Sequence, residues 1–510
     1  MSRRALALGA LVFSGAVQAL ISAPHSWIAL HPVAWVPALF VIARLSGRRA
    51  FLAGWLVGAA ANAAIFAWLV HTIASFTDLG AAVGVAVLAL FAGVHGLYAG
   101  VFAWGFAPIR RAAGGAWPIA IAAWFTACEF LAPQFFPYQQ GVAWWVEPRI
   151  FLVAATTGVA GVTFLVLFAN AVVLQAIERG SLRALAANAA ALALLVALAL
   201  AAAARQEARI QAAEDASIRL RIAIVQPGDD PYAAPARNAR EARQNADKLA
   251  EQAREALAAD RAIQVVVLPE KALEFEPSRS WNRSVRDLAA AFGVEIWTGG
   301  AAADRREAGT RYFNSAFRLT PDGAEWPRYD KNVLVPFGEW MPDSFAWVSR
   351  ALGRNPFTPG SGMPLHDAHG ARFAFLICYE AILAGYVRAP VRDGADLLVN
   401  LTYDGWFGDT AEPAQHLMLV AVQAAQLGVP IVRATTTGLS AFLDARGRVT
   451  AQTSLLEQRT LVADIAPIRV SDRYVAWGDW FAWVCVASSA ALLARRATDR
   501  LRGGARPIHS

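Results

Sequence analysis

The feature that most constrains this chain is the segregation of its apolar residues. Up to about residue 204 they come in long runs broken by short basic or glycine- and proline-containing segments, whereas about 205 to 474 alternates short apolar runs with charged ones. A run of about 20 apolar residues crosses a bilayer as a helix, because hydrocarbon offers no partner for an unpaired backbone N–H or C=O. The spacing predicts spans at about 5 to 22, 27 to 43, 50 to 71, 80 to 107, 117 to 134, 150 to 177 and 184 to 204, with one more at 475 to 494. The chain therefore divides into a helical membrane domain at 1–204 (about seven helices), an aqueous domain at 205–474, and a terminal span with a basic tail at 475–510. With 56% hydrophobic and 17% charged residues, disorder and collagen-like repeats are excluded.

Basic residues in short loops stay on the cytoplasmic side. With the N-terminus inside, one set of loops holds Arg3, Arg4, Arg44, Arg48, Arg49, Arg110, Arg111, Arg179, Arg183, Arg495, Arg496, Arg500, Arg502 and Arg506, while the opposite short loops hold only Arg149. This bias predicts a multi-pass membrane protein whose aqueous domain lies outside the cytoplasm. It also removes the case for nucleic acid as a partner: the net charge of +7 resides in these loops, and the rest of the chain is net negative. Arg3 and Arg4 before a short apolar run and Val17-Gln18-Ala19 also fit a cleavable signal peptide, but another apolar segment follows at once, so residues 1–19 are expected to be retained.

From Arg219 the pattern becomes that of an α/β domain. Strands are predicted at Arg219–Val225, Ile263–Leu268, Val294–Thr298, Tyr312–Leu319, Arg372–Cys378, Asp396–Leu401, Pro430–Ala434 and Leu461–Ile465, and helices at Ala236–Ala258, Arg279–Phe292 and Pro413–Leu427. The charges of the first helix, Arg240 through Glu255, read as a solvated outer face.

Of the three cysteines, Cys128 and Cys485 fall inside predicted spans, which leaves Cys378 without a disulfide partner in the aqueous domain. On that fact alone a buried structural thiol is the simpler reading. Its neighbourhood adds a second. Three apolar strands end in ionisable residues: Val265–Leu268 in Pro269-Glu270, Tyr329-Asp330 in Lys331 before Val335-Pro336-Phe337-Gly338-Glu339, and Phe373–Ile377 in Cys378-Tyr379-Glu380. Ligand sites in open α/β sheets gather at the carboxyl ends of strands. A thiol needs a base to become a good nucleophile, and a fixed ammonium stabilises an oxyanion. Glu270, Lys331 and Cys378 can thus make an acyl-transfer site, with Glu339 holding Lys331 charged. Singly, Glu270 reads as a turn carboxylate, Lys331 as half of a surface ion pair, and Glu339, Tyr379 and Glu380 as structural hydrogen-bonding residues.

These motifs, with Asp404-Gly405-Trp406-Phe407-Gly408, Gln415-His416 and Gly478-Asp479-Trp480, resemble the nitrilase superfamily, and more closely its membrane-integral branch, the apolipoprotein N-acyltransferase family. The resemblance covers nearly the whole chain and implies an αββα sandwich domain between membrane helices. It implies Glu270 as general base, Lys331 as oxyanion stabiliser, Cys378 as nucleophile, and Glu339, Tyr379, Glu380 and Trp406 in support. It further implies transfer of a fatty acyl group from a membrane phospholipid to the α-amine of a diacylglyceryl apolipoprotein's N-terminal cysteine, through a Cys378 thioester. No cofactor is expected, and no metal: His25, His31, His71 and His95 show no ligand spacing. His416 is expected to orient a loop, and Trp144 and Trp145 to sit at a membrane interface. The apolar stretch from Trp340-Met341-Pro342 through Phe345, Trp347, Leu352 and Phe357 fits an acyl path or a lid, or equally a packed loop.

Four positions depart from the family pattern: Tyr403, Thr436, Gln226-Pro227-Gly228-Asp229, and Lys271, which follows Pro269-Glu270 where a small polar residue is usual. Two other functions use the same features. A tethered amidase passes the acyl group to water, and a non-enzymatic transporter or complex subunit needs charged residues within its spans, where Glu129 is nearly alone.

Overall fold

The computed structural model describes residues 2–76, 80–229, 238–306, 309–324, 327–336, 338–341 and 357–504. Most of the apolar stretch read as an acyl path or lid, 342–356, lies outside the described residues, as does Phe337. Two compact units emerge, one from residues 1–207, 410–418 and 472–510, the other from 208–409 and 419–471.

The first unit is helical and membrane-embedded. Among the described residues, Arg3–Ile21, Gly80–Leu131, Val159–Ile177 and Leu182–Ala216 are long and apolar enough to cross a bilayer. A pair bent by 53°, Gly47–Ile65 and Leu69–Ser75, adds a fifth stretch. The predicted spans at 80–107 and 117–134 share the second stretch. There the chain turns at Gly114 (φ 57) and Trp124 donates back to the Phe102 carbonyl. The predicted span at 27–43 is instead three short pieces, Ile28–Leu30, His31–Ala34 and Val36–Ile42, because Pro32 and Pro37 restart the helix each time. The helix predicted to end near 204 continues to Ala216, since Ala, Arg, Gln and Glu all favour helix once the apolar run ends. The predicted terminal span at 475–494 is Arg473–Trp477 followed by Trp480–Gly504.

Polar residues in this unit close on one another. Both Glu129 carboxylate oxygens are occupied, by the Gln140 N–H and the Thr163 hydroxyl. Trp144 donates to His31 Nδ1, so the His31 Nε2–H donates to Gln140 Oε1. Gln415 accepts from Trp68 Nε1 and donates to the Ile65 carbonyl, filling the break in the bent helix pair. His416 Nδ1 lies 3.7 Å from Glu412, one turn away on the same helix. Trp480 donates to the Thr156 carbonyl.

Among its described residues the second unit has twelve strands: β1 (Leu220–Gln226), β2 (Val265–Val267), β3 (Glu295–Arg306), β4 (Gly309–Leu319), β5 (Tyr329–Asp330), β6 (His366–Ala368), β7 (Ala371–Ile377), β8 (Leu397–Thr402), β9 (Ile431–Thr435), β10 (Ala441–Leu443), β11 (Val449–Gln452) and β12 (Arg459–Ile465). They form two six-stranded sheets, ordered β12-β1-β2-β3-β4-β5 and β11-β10-β9-β8-β7-β6. Each has three adjacent parallel strands (β1, β2, β3 and β7, β8, β9) flanked by antiparallel ones. Alternate residues of both sheets, among them Ile222, Val265, Trp297, Phe373, Val399 and Val432, make the core between them, where Trp297 stacks on Phe373 at 4.0 Å.

The other face of the first sheet packs on helices Ala239–Ala259 and Arg283–Phe292 through Ala246, Leu249, Ala253, Val285 and Leu288. Asn238 caps the first of these by accepting from the Arg240 and Glu241 N–H groups. The charged residues at 243, 247, 248, 251, 254 and 255 are exposed. This is the nitrilase-type α/β sandwich that the resemblance implied. The predicted strands all form, with β3 and β4 extended into one long hairpin and β5 as the short strand before Lys331, while β6, β10, β11 and the helix Ala384–Asp393 were not predicted.

Gly299 lets the segment after β2 cross this hairpin, since a Cβ there would lie 2.6 Å from Glu270 Cα and 2.7 Å from the Pro269 carbonyl. Gly299→Ala is therefore expected to lower unfolding free energy by about 1–3 kcal/mol, read as a depressed midpoint in detergent-solubilised denaturation.

Candidate active site

Glu270, Lys331 and Cys378 each follow the last residues of a strand, so the sandwich brings three chain segments to one end. Glu270 leaves β2 through Leu268-Pro269, Lys331 follows β5, and Cys378 follows β7 and opens a short helical turn, Cys378–Ile382. The first two belong to one sheet and the third to the other, so the site straddles the core.

Lys331 is the centre of the cluster. Its side chain is 0% exposed, with Nζ 2.7 Å from Glu339 Oε2 and 3.9 Å from Glu270 Oε1. A buried charge survives only if paired. Burial works to lower the Lys331 pKa, but Glu339 and then Glu270 outweigh it and raise the value above the usual lysine range. Glu339 is correspondingly held low, with Lys331 and the Val335 N–H, 2.9 Å away, overcoming its own burial.

Asn314, in the middle of β4, bridges the two carboxylates, donating to Glu270 Oε1 at 2.6 Å and to Glu339 Oε1 at 2.9 Å. Among the described residues, Glu270 Oε2 is buried without a hydrogen-bond partner. Burial pushes the Glu270 carboxyl up to about 7, against the pull of Lys331 and with help from the charge of Glu339.

Cys378 is buried and adopts φ +50, a left-handed conformation that L-residues rarely take. Its thiol is pushed up to about 12, first by burial and then by the charge of Glu270, with Lys331 opposing. The resting site thus holds a neutral thiol, a carboxyl poised near neutrality and a firmly charged ammonium. That combination suits a nucleophile deprotonated only as it attacks.

Glu380 joins the two halves. Its Oε1 accepts from the Asn332 and Val333 N–H groups at 2.7 and 3.0 Å, and its Oε2 from the Tyr329 hydroxyl at 2.6 Å and the Ile377 N–H at 2.9 Å. One carboxylate therefore fixes the Lys331 segment against the Cys378 turn. Tyr379 is half-buried beside it, and Trp406 is half-buried with its ring edge-on to Tyr403 at 5.6 Å.

Asn314, Arg433 and Asn400 were missed by sequence reasoning. Arg433, fully buried in β9, pairs with Asp404 at 2.7 Å and donates to Asn400 Oδ1 at 2.6 Å, while Asn400 donates to the Leu376 carbonyl two residues before Cys378. The available signal was a polar residue in the middle of an otherwise apolar strand. Of the departures, Tyr403 is fully buried, and Gly228 donates its N–H to the Thr436 carbonyl, so two departures meet. Lys271 is half-buried, at φ +55, with Nζ 5.1 Å from the centre of the Phe357 ring. Burial lowers its pKa to about 8.

Residues 221–472 match the carbon-nitrogen hydrolase family, and residues 14–172 match the apolipoprotein N-acyltransferase N-terminal domain. A Geobacter metallireducens protein named apolipoprotein N-acyltransferase is 30% identical over 95% of this chain and 94% of its own. One of the same name from Chlorobaculum tepidum is 28% identical over 69% of this chain and 70% of its own. Among solved structures, a Saccharomyces cerevisiae member of the nitrilase superfamily (branch 10) aligns with 51% of this chain and 94% of its own, at 16% identity and a TM-score of 0.40.

The Asn314 hydrogen bond lowers the Glu270 pKa, so its loss raises it further above 7. A carboxylate accepts a proton only when ionised, so if Glu270 deprotonates Cys378 the acid limb of thiol reactivity moves to higher pH. Alkylation of Cys378 by iodoacetamide is expected to rise through about pH 7 in the unaltered protein, and at clearly higher pH in Asn314→Leu.

Proposed function

Because the chain belongs to the apolipoprotein N-acyltransferase family, it is an N-acyltransferase, and we propose that it works by a two-step exchange on Cys378 with Glu270 as base and Lys331 as oxyanion stabiliser. The donor is a membrane phospholipid and the acceptor is the N-terminal cysteine amine of a diacylglyceryl apolipoprotein. What carries this reading is the buried Lys331, held between Glu339 and Glu270 while sharing the electrostatic field of the Cys378 thiol.

In the first half-reaction the Cys378 sulfur attacks an ester carbonyl carbon as Glu270 takes the thiol proton. The oxyanion forms beside the Lys331 ammonium, where fixed charge contributes most. The carbon–oxygen bond then breaks, Glu270 returns the proton to the departing lysophospholipid alkoxide, and a thioester remains. In the second, the neutral amine attacks the thioester, Glu270 takes its proton, the carbon–sulfur bond breaks, and the thiolate recovers the proton. Glu339 keeps Lys331 charged throughout. Glu380 holds the two segments in register, and Tyr379 and Trp406 support the wall.

The catalytic domain, 205–474, stands on the periplasmic side of the inner membrane, with 1–204 and 475–510 as its anchors. The arginine bias of the short loops supports this side. Both proposed substrates hold acyl chains in the bilayer, and each CH₂ drawn into water costs about 0.8 kcal/mol, so anchoring keeps the chemistry at the membrane surface. An amidase would need only water and a small amide, and nothing in such a role calls for the membrane unit.

Mixing the protein with phospholipid alone is expected to add one fatty acyl mass at Cys378, removable by hydroxylamine. The adduct is absent in Cys378→Ala and lowered by at least about a hundredfold in Glu270→Gln, given what a general base contributes. Adduct formation should rise with pH through about 7, because the burial-raised Glu270 must be ionised. Transfer to the acceptor rises further as its amine, near about 7.7 to 8.0, loses its proton. An unmodified Cys378, or full transfer in the alanine variant, overturns the mechanism.

A further inference from the structure

Lys271 is a second ammonium at this site that the exchange above does not use. It immediately follows Glu270 in a turn closed by the Ala272 N–H on the Pro269 carbonyl. Within that turn it takes the left-handed conformation, φ +55. Glycine takes it without strain, whereas an L-residue crowds its own Cβ there, so this backbone bears a side chain where a hydrogen would be easier. That side chain is held at the margin of the cluster. Its Nζ lies over the Phe357 ring, and the Phe357 N–H donates to the Glu339 carbonyl. It shares the electrostatic field of Glu339, Lys331 and Cys378. Unlike Lys331, whose side chain is wholly enclosed, Lys271 is half-buried.

We propose that Lys271 determines donor specificity by pairing with the phosphate of the phospholipid. This rests on the phospholipid-to-amine reading above and deepens it. The two substrates that must use one site in turn differ in charge where Lys271 meets them. The donor carries a phosphate a few bonds from its ester, and a lysine pairs with phosphate as a point charge. The acceptor carries no phosphate and, until it loses a proton, an ammonium. A cation at the margin attracts the first and repels the protonated form of the second. The lysophospholipid leaves with its phosphate, and the acyl-enzyme is left facing a group that admits the amine in its reactive, neutral state. Lys331 is enclosed at the centre of the cluster, 2.7 Å from Glu339 and 3.9 Å from Glu270, where it meets the oxyanion rather than the headgroup.

The test compares full-length protein in neutral detergent micelles with two donors of identical acyl chains, phosphatidylglycerol and the corresponding diacylglycerol, by following the Cys378 adduct in a single turnover. The ratio of the apparent second-order rate constants, phospholipid over diacylglycerol, is expected to fall about tenfold in Lys271→Gln and Lys271→Gly and to stay near its original value in Lys271→Arg. The glycine variant relieves the strained backbone and so guards against misfolding. The loss should appear in the donor concentration giving half-maximal rate rather than in the maximal rate, and 0.5 M salt should shrink it. A ratio unchanged in both neutral variants, or an equal loss for both donors, overturns the assignment. An unaltered protein that takes no acyl group from either donor overturns the thioester reading and this one with it. An adduct whose donor preference ignores residue 271 overturns this one alone.

Discussion

The rest of the site depends on the enclosure of one ammonium, that of Lys331. Taking a charge out of water costs several kcal/mol unless partners replace the solvent, and this requirement accounts for most polar residues around it. Glu339 supplies the direct partner at 2.7 Å and Glu270 the looser one at 3.9 Å. Asn314 keeps these two carboxylates apart yet aligned by donating to both. The segment bearing Lys331 is itself pinned by Glu380, which also holds the backbone before Cys378. Removing any one partner strands a charge or a donor in the interior, so the cluster stands or falls as a set.

The unequal grip on Lys331 gives the two carboxylates different characters. Glu339, in contact with the ammonium and the Val335 N–H, stays ionised, whereas Glu270, one of whose oxygens has no partner among the described residues, rises to about 7. Two acids of the same chemistry thus divide into one held ionised and one that titrates near neutrality. Environment alone separates them, as in other sites that pair acid and base roles near neutrality.

Which parts were legible in the sequence follows from how local their cause is. The strands ending at Leu268 and Ile377 announce themselves as apolar runs stopped by ionisable residues, and with them Glu270 and Cys378. The transition near Arg219 is equally plain. Short pieces such as β6 and β10 are three residues long and exist only because a neighbouring strand offers hydrogen bonds, so no periodicity marks them. Asn314 and Arg433 look like defects in strands until their partners are known, since Glu270 is 44 positions from the first and Asp404 is 29 from the second. The span predicted at 27–43 failed for a local reason, two prolines within an apolar run, that hydropathy does not weigh.

Residues 410–418 group with the helices, although the chain on either side of them groups with the sandwich. Gln415 shows what they do there, occupying the gap between Ile65 and Trp68. The polypeptide is therefore threaded, passing from one body to the other four times rather than twice. A gene trimmed to encode a water-soluble enzyme would still encode this nine-residue graft, now deprived of its socket. Dissecting such a protein calls for redesigning the graft, not merely choosing where to cut.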